Sequence, residues 1–193
     1  HYTALLINMH ETSSGVLYDM PMIAEFCREQ GIMLIVDAIS AFITDELPMD
    51  QWGAAVVITG SQKALAVHPG VSVVALAPEA IKKVQENRDV CMYLSLKNAL
   101  KNGERGQTPF TPAVSVLLQI NVRLKEIERN GGIEAERAAI KKRADCFRKS
   151  ISDLPLFIIS ESCSNAVTAL HPGKNNAMEI VQCLKDDYHI WVC

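Results

Sequence analysis

Leu34-Ile35-Val36-Asp37-Ala38 decides how the rest of the chain is read: an acid stands at the carboxyl end of an otherwise wholly apolar run. The run Ile32 to Val36 is continuous, aliphatic and largely β-branched, as strands buried on both faces are. In open α/β sheets ligands bind at the carboxyl ends of the strands. A carboxylate there is costly to bury unless it meets a cation or hydrogen-bond donors. Asp37 therefore reads either as a ligand-facing acid or as the cap of the turn that follows.

Outward from this strand the pattern repeats. Ala54 to Thr59 is a second apolar run, and it enters Gly60-Ser61-Gln62-Lys63-Ala64-Leu65, again with a lone charge just past the strand. A lysine desolvated in such a place has a lowered pKa and becomes a nucleophilic amine able to form a Schiff base, whereas a lysine that leaves the sheet into solvent stays inert. Asp37 and Lys63 after two neighbouring apolar runs make the joint reading stronger than either alone. Val71 to Ala77 is a third run of the same kind, too uniformly apolar for a wet face, and Pro78 opens a helix through Arg88. Upstream, Thr3 to Met9 reads as a strand. His10-Glu11-Thr12-Ser13-Ser14-Gly15 follows it as a hydroxyl-rich turn, suited to contacting a ligand or to capping itself. Met20 to Gln30 carries a helical apolar stripe and Gly31 stops it.

Pro112 to Asn130 is a long helix closed by Gly131-Gly132, where a domain boundary is expected, with 1–131 forming a large unit and 132–193 a smaller one. Beyond it lie a charged amphipathic helix over Ile133 to Asp153 and short strands at Leu156 to Ile159 and Ala166 to Leu170. A helix over Ala177 to Asp187 and a strand-like run from His189 to Cys193 complete the order, that of a small α+β unit. Both ends fall abruptly in apolar runs, so the chain is expected to be part of a longer polypeptide.

The 193 residues are 49% hydrophobic with a net charge of −3, the balance of a folded globular chain. The densest basic run, Lys141-Lys142-Arg143, sits beside Glu134 and Glu136, so nucleic acid is not an expected partner. The apolar runs are far shorter than the roughly 20 residues a membrane span needs, and neither a membrane span nor a signal peptide is expected. The six cysteines include no CxxC pair and read as reduced thiols of a cytoplasmic protein. No metal-ligand spacing is apparent, and the chain lacks the GxGxxG that a Rossmann-type dinucleotide site requires.

In their order, the strand, Glu11-Thr12-Ser13-Ser14-Gly15, the helix, Val36-Asp37-Ala38, Gly60-Ser61-Gln62-Lys63-Ala64-Leu65 and Pro69-Gly70 resemble the class V aminotransferases, pyridoxal-phosphate enzymes of fold type I. The match is nearest to the alanine–glyoxylate and serine–pyruvate type and runs the length of the chain. The resemblance implies an α/β three-layer sandwich with a mostly parallel sheet, plus part of a small α+β C-terminal domain. It implies that residues 1–131 are the C-terminal part of the cofactor-binding large domain. It implies pyridoxal 5′-phosphate as cofactor, held by Lys63 as a Schiff base, with Lys63 then moving the substrate proton. The resemblance further implies that Asp37 pairs with the pyridine nitrogen, that Ile39 packs on the ring, that Thr12 sits near the ring hydroxyl or substrate, and that Gln62 lies near the phosphate. Thr111, in Gln107-Thr108-Pro109-Phe110-Thr111-Pro112, matches a threonine that reaches the phosphate of a neighbouring subunit, which implies a homodimer. The implied reaction moves an amino group from a small amine or amino acid to a 2-oxo acid, pyruvate or glyoxylate.

The pattern departs from the family's in three ways. The Gly-rich phosphate loop with its ring-stacking aromatic, and the arginine for the substrate carboxylate, have no match in this sequence. Position 62 is Gln where the related cysteine desulfurases carry His. Two other readings stay open: 2-aminoethylphosphonate–pyruvate transamination, and a catalytically silent unit that only packs or dimerises. His68 reads as packing or turn chemistry.

Overall fold

The computed structural model describes residues 2–192. Its central sheet has the strand order β1 (Ala4–Asn8), β4 (Met33–Asp37), β5 (Val56–Gly60), β6 (Ser72–Leu76). β1 runs parallel to β4 and β4 to β5, with Asn8 opposite Asp37 and Asp37 opposite Ile58, whereas β6 returns antiparallel to β5. The two-stranded hairpin of β2 (His10–Glu11) and β3 (Val16–Leu17) projects from the carboxyl edge, where β1 ends.

Parallel neighbours need a crossover, and α1 (Met20–Glu29) supplies the one between β1 and β4. Pro21 sits in its first turn, and the Asp19 side chain accepts the Met22 N–H at 3.1 Å as its cap. Its buried Met20, Ala24 and Cys27 meet Leu34, Val36 and Val57 of the sheet, with Trp52 of the one-turn helix α2 (Met49–Trp52) in the same core. Trp52, Met20 and Leu34 are large side chains whose burial contributes about 1.5–3 kcal/mol each. On the opposite face, Met33, Val56 and Leu76 line a cavity of about 300 Å³ with Ala80 and Val84 of α3 (Pro78–Glu86), giving helix, sheet and helix layers.

The expectation that every strand is dry on both faces fails at β6. It is the edge strand: Val73 is 44% exposed, and Leu6 on the far edge strand β1 is 72% exposed. An edge strand has one neighbour, and apolar composition cannot tell it from a central one. The helix α4 (Leu96–Gly103) has no counterpart in the sequence reading, because Asn98, Asn102 and Gly103 weaken its helical signature. Ser95 starts it, accepting the Asn98 N–H and donating to Asp89.

The long helix α5 (Val114–Arg129) ends at Asn130, and Gly131, at φ 103°, leads into α6 (Gly132–Ser150). Arg123 of α5 pairs with Glu126 and crosses to Glu136 of α6. Ile127 and Ile140 from these helices close a second core over Ile43 and Leu65. Past α6 the expected strands shrink to β7 (Phe157–Ile158) and β8 (Leu170–His171), paired antiparallel, followed by α7 (Ala177–Tyr188). The expected terminal strand does not form over residues 189–192: His189 caps α7 with φ 55°, the Ile190 N–H returns to the Leu184 carbonyl, and Lys185 lies over the Trp191 ring. Extended residues become a strand only when a neighbour takes their backbone groups. Cys193 lies outside the described residues.

Candidate active site

Three parallel strands with one direction put their carboxyl ends on one edge, and the candidate residues gather there. Asp37 is the last residue of β4, Lys63 lies three residues beyond the end of β5, and Thr12 lies in the turn of the hairpin that continues β1. The Asp37 side chain is exposed, and its Oδ1 accepts the Ile39 N–H at 2.9 Å. The turn-capping alternative is thus realised with one oxygen, and the other makes no hydrogen bond among the described residues. Ile39 is half-buried beside it.

The Lys63 segment is held by Ser61, which is fully buried. Its backbone N–H donates to the Val71 carbonyl at 3.0 Å; its hydroxyl donates to the His68 carbonyl at 2.8 Å and accepts the Val71 N–H at 3.3 Å. The loop from 61 to 71 is therefore closed at its base. The Lys63 carbonyl accepts the Ala66 N–H at 2.8 Å, which turns Ala66 into the left-handed region at φ 55°. Gln62 folds back over Gly60, where a Cβ would stand 2.7 Å from its Oε1 and would push that flexible side chain aside. Leu65 is buried in the second core and anchors the far side. Lys63 itself is exposed, so the desolvation expected for it is not provided by the described residues. Apolar flanks in sequence do not bury a side chain when the chain turns it outward.

The hairpin turn is held by its own acid. Glu11 accepts the Ser13 N–H at 3.0 Å, the Ser13 hydroxyl at 2.9 Å and the Asn8 amide at 3.2 Å, and the Ser13 donors foremost hold its carboxyl below the usual range. Thr12 is left exposed beside it. Gly15, at φ 73°, closes the turn onto the Glu11 carbonyl. Thr111 lies in the connection between α4 and α5 and makes no side-chain hydrogen bond to Asp37 or Lys63 among the described residues. His68 accounts for itself structurally: its ring Nδ1 lies 2.9 Å from Gln119 Oε1 of α5.

Two residues at this edge carry no role in the sequence reading. His10 is 4% exposed with neither ring nitrogen in a hydrogen bond, and burial pushes its imidazole down against the pull of the Asp45 and Glu11 carboxylates. Asp45 is itself buried, with four donors and no ion pair among the described residues. His10 stands beside the quoted hydroxyl turn, but nothing local marks it as buried. Asp45 has no local signal, since three of its donors come from residues 164 and 165.

Comparison with known proteins matches this architecture throughout. The family model "Aminotransferase class-V" covers residues 1–192. The chain is 30% identical over 190 residues to the soluble hydrogenase 42 kDa subunit of Anabaena cylindrica, covering 97% of this chain and 49% of that protein. It is 28% identical over 193 residues to a serine–glyoxylate aminotransferase of Arabidopsis thaliana, covering 97% and 48%. The crystal structure of a pyridoxamine–pyruvate aminotransferase from Mesorhizobium loti superposes with a TM-score of 0.89 at 25% identity, covering 98% of this chain and 50% of that one. The chain thus spans about half the length of the curated relatives it matches.

Proposed function

The chain belongs to the class-V aminotransferases, and from that premise we propose that it carries the cofactor edge of a pyridoxal-phosphate-dependent transaminase. The observation that supports this most is the meeting of Asp37 and Lys63 at the ends of two adjacent parallel strands. A carboxylate with one oxygen spoken for and one available, and an accessible primary amine, fit the two polar ends of a pyridine aldehyde. Pyridoxal 5′-phosphate, when bound, supplies an electrophilic carbon for amine exchange and an electron-withdrawing ring.

The residues act on it as follows in this reading. Asp37, with one oxygen held by the Ile39 N–H, would use its other oxygen to keep a proton at the ring nitrogen, and Ile39 would pack beside the ring. Lys63 Nζ would hold the cofactor aldehyde carbon and would carry the proton at the substrate Cα. The tether from Ser61 to Val71 limits where Lys63 can swing. Gln62 is assigned to the phosphate, Thr12 to the ring hydroxyl or substrate, and Thr111 to the cofactor of a neighbouring subunit.

The amino donor is a small amine or amino acid and the acceptor pyruvate or glyoxylate, in keeping with the acceptors in the names of the two aminotransferases above. The division into a large unit, 1–131, and a smaller one, 132–193, is part of the same reading. So is a homodimer, favoured by the exposed Val90, Met92, Tyr93 and Leu94 beside Phe110 and by Leu118 and Val122 on α5. A cytoplasmic setting is favoured by free thiols at Cys27, Cys91, Cys146, Cys163 and Cys183. No described helix is long and apolar enough to cross a membrane.

The test is an absorbance titration of the chain with pyridoxal phosphate, followed by borohydride reduction and peptide mass mapping. Label on Lys63, lost in Lys63→Ala, is the expected result. Saturating cofactor with no spectral change and no label on Lys63 overturns the assignment.

A further inference from the structure

The hairpin that carries Thr12 is small: β2 and β3 have two residues each, with His10 opposite Leu17 and Glu11 opposite Val16. Two strands of that size do not hold a shape in water without a further neighbour. The neighbour comes from far along the chain. The Leu17 N–H donates to the Ser162 carbonyl at 2.8 Å, and the Ser162 hydroxyl donates to the Leu17 carbonyl at 2.8 Å. The Ser164 N–H donates to the Gly15 carbonyl at 3.1 Å, and Val16 is bridged antiparallel to Cys163 between them. Residues 162–164 thus lie along β3 as an added strand. The packing is close, since a Cβ on Gly15 would stand 3.2 Å from the Ala169 nitrogen and 3.3 Å from the Val167 carbonyl oxygen.

Ser164 also reaches the loop after β4. It has no exposed surface and donates its hydroxyl to Asp45 at 2.6 Å, and Asn165 adds its N–H and side-chain amide to the same carboxylate at 3.1 Å each. Asp45 is joined back to Asp37 by successive turns: the Ala38 carbonyl accepts the Ala41 and Phe42 N–H groups, and the Ala41 carbonyl accepts that of Asp45. Arg148 of α6 holds the Ser164 carbonyl and reaches the Thr168 hydroxyl, and the Ser164 hydroxyl oxygen accepts the Ala166 N–H at 3.0 Å. Every polar group of this serine is therefore engaged. A buried and fully satisfied link between two loops makes their relative position specific.

We propose that Ser164 is a positioning residue for Thr12, fixing the hairpin turn against the loop that begins at Asp37. The role rests on the reading of Thr12 and Asp37 as cofactor contacts and deepens it. Within the turn, Glu11 holds Ser13 with its side chain and the Gly15 N–H with its carbonyl, so Thr12 goes where Gly15 goes. Gly15 in turn is held by Ser164, and Ser164 by Asp45. A ligand that touches both loops needs them set before it arrives, since a displacement of about 1 Å can cost about 100-fold in rate. Arg148 extends the same link to α6, so the helix and the turn keep one spacing.

Amide hydrogen exchange on the chain without cofactor reads the link. Ser164→Ala keeps the N–H to Gly15 and removes the hydroxyl from Asp45. It is expected to speed exchange at the Gly15 and Leu17 N–H groups about tenfold, because their opening no longer breaks a bond to a charged acceptor. The Asn87 N–H at the end of α3, which opens without touching this link, is expected to stay unchanged. Ser162→Ala, an exposed change that leaves the core intact, is expected to move Leu17 in the same direction by less. An absorbance titration with pyridoxal phosphate then reads the role in a double-mutant cycle. Ser164→Ala is expected to weaken cofactor binding about fivefold in the unaltered chain and less than about twofold in the Thr12→Ala background, because changes acting through one contact do not add. A hydroxyl that served stability alone would cost the same in both. Gly15 and Leu17 exchange unmoved by Ser164→Ala, or an additive cycle, overturns the proposal. An unaltered chain that shows no spectral change and no label on Lys63 overturns the cofactor reading and this role together, and the exchange result then tells a link without function from no link.

Discussion

Replacing Asp45 by alanine should cost this chain more stability than any other single change at a polar side chain outside the strands. Its Oδ2 accepts the Ser164 hydroxyl at 2.6 Å and the Thr44 hydroxyl at 3.0 Å, and its Oδ1 accepts the Asn165 N–H and side-chain amide at 3.1 Å each. Hydrogen bonds to a charged acceptor contribute about 1.5–3 kcal/mol each. The Thr44 hydroxyl also reaches the Ala41 carbonyl, and the Asn165 amide the Thr44 carbonyl, so those two donors can re-pair. The Ser164 hydroxyl, on a residue with no exposed surface, and the Asn165 N–H are left without an acceptor. Against this stands the relief of a buried carboxylate's desolvation, several kcal/mol in itself. The balance is a loss of about 3 kcal/mol for Asp45→Ala, from one buried and one part-buried donor left orphaned plus the charge-assisted part of the other two. For a chain of this length that corresponds to a melting temperature lower by roughly 6–12 °C. Urea and thermal unfolding followed by circular dichroism measure it. Ser164→Ala should cost about 1–2 kcal/mol, and the double variant should fall short of additivity by about 1 kcal/mol or more, as for any contacting pair. Asp45→Ala within about 0.5 kcal/mol of the unaltered chain, the range of a neutral surface change, would refute the reasoning.

Three further outcomes follow from the same geometry. Asp37→Asn keeps an oxygen for the Ile39 N–H, so stability should hold within about 0.5 kcal/mol, whereas transaminase turnover, measured in the full-length protein, should fall about 100-fold or more as an electrostatic partner is lost; equal turnover would detach Asp37 from the cofactor. Ala66→Gly should stabilise the chain by about 0.5–1 kcal/mol, because relief of the left-handed strain at φ 55° exceeds the entropic cost of glycine; a lower urea midpoint would contradict this. His10 makes stability pH-dependent in a defined window: its folded pKa lies below the ordinary 6.5, so the unfolded chain binds the extra proton first. Stability from this group is full above 6.5 and declines as pH falls from there toward the folded value, by at most about 1.4 kcal/mol per unit. His10→Gln should flatten that slope, while the Glu11 contribution, whose folded pKa is depressed, is lost only below 4.5; an unchanged slope between pH 6.5 and 5 would count against a buried neutral His10.

The parts of the fold legible in the sequence are those whose physics is local. Runs such as Ile32 to Val36 and Ala54 to Thr59 announce buried parallel strands because both faces need apolar side chains. Asp19, Pro21, Gly31 and Pro78 mark helix ends because capping is a matter of a few neighbouring residues. Once two parallel strands are fixed, their carboxyl ends share an edge, and so Asp37 and Lys63 meet there with no further information. The small helix α4 was less legible because its asparagines and glycine blur a signal that Ser95 alone carries.

Tertiary structure decided what depends on partners distant along the chain. β6 turned out to be an exposed antiparallel edge, which its composition, as apolar as that of β5, does not disclose. The run from His189 found no strand to pair with among the described residues, and its backbone turned back onto α7 instead. Ser164 joins the two ends of the chain: it donates its N–H to Gly15 and its hydroxyl to Asp45, and it accepts from Arg148. Those contacts span more than 100 residues to Gly15 and Asp45, and no periodicity or motif records them. The same holds for the burial of His10. Sequence by itself determined which chemical groups stand at the sheet's carboxyl edge, because strand direction and side-chain type are local properties. Only tertiary structure decided which of them are buried, paired or left open, because solvent access is set by every segment that packs on the site.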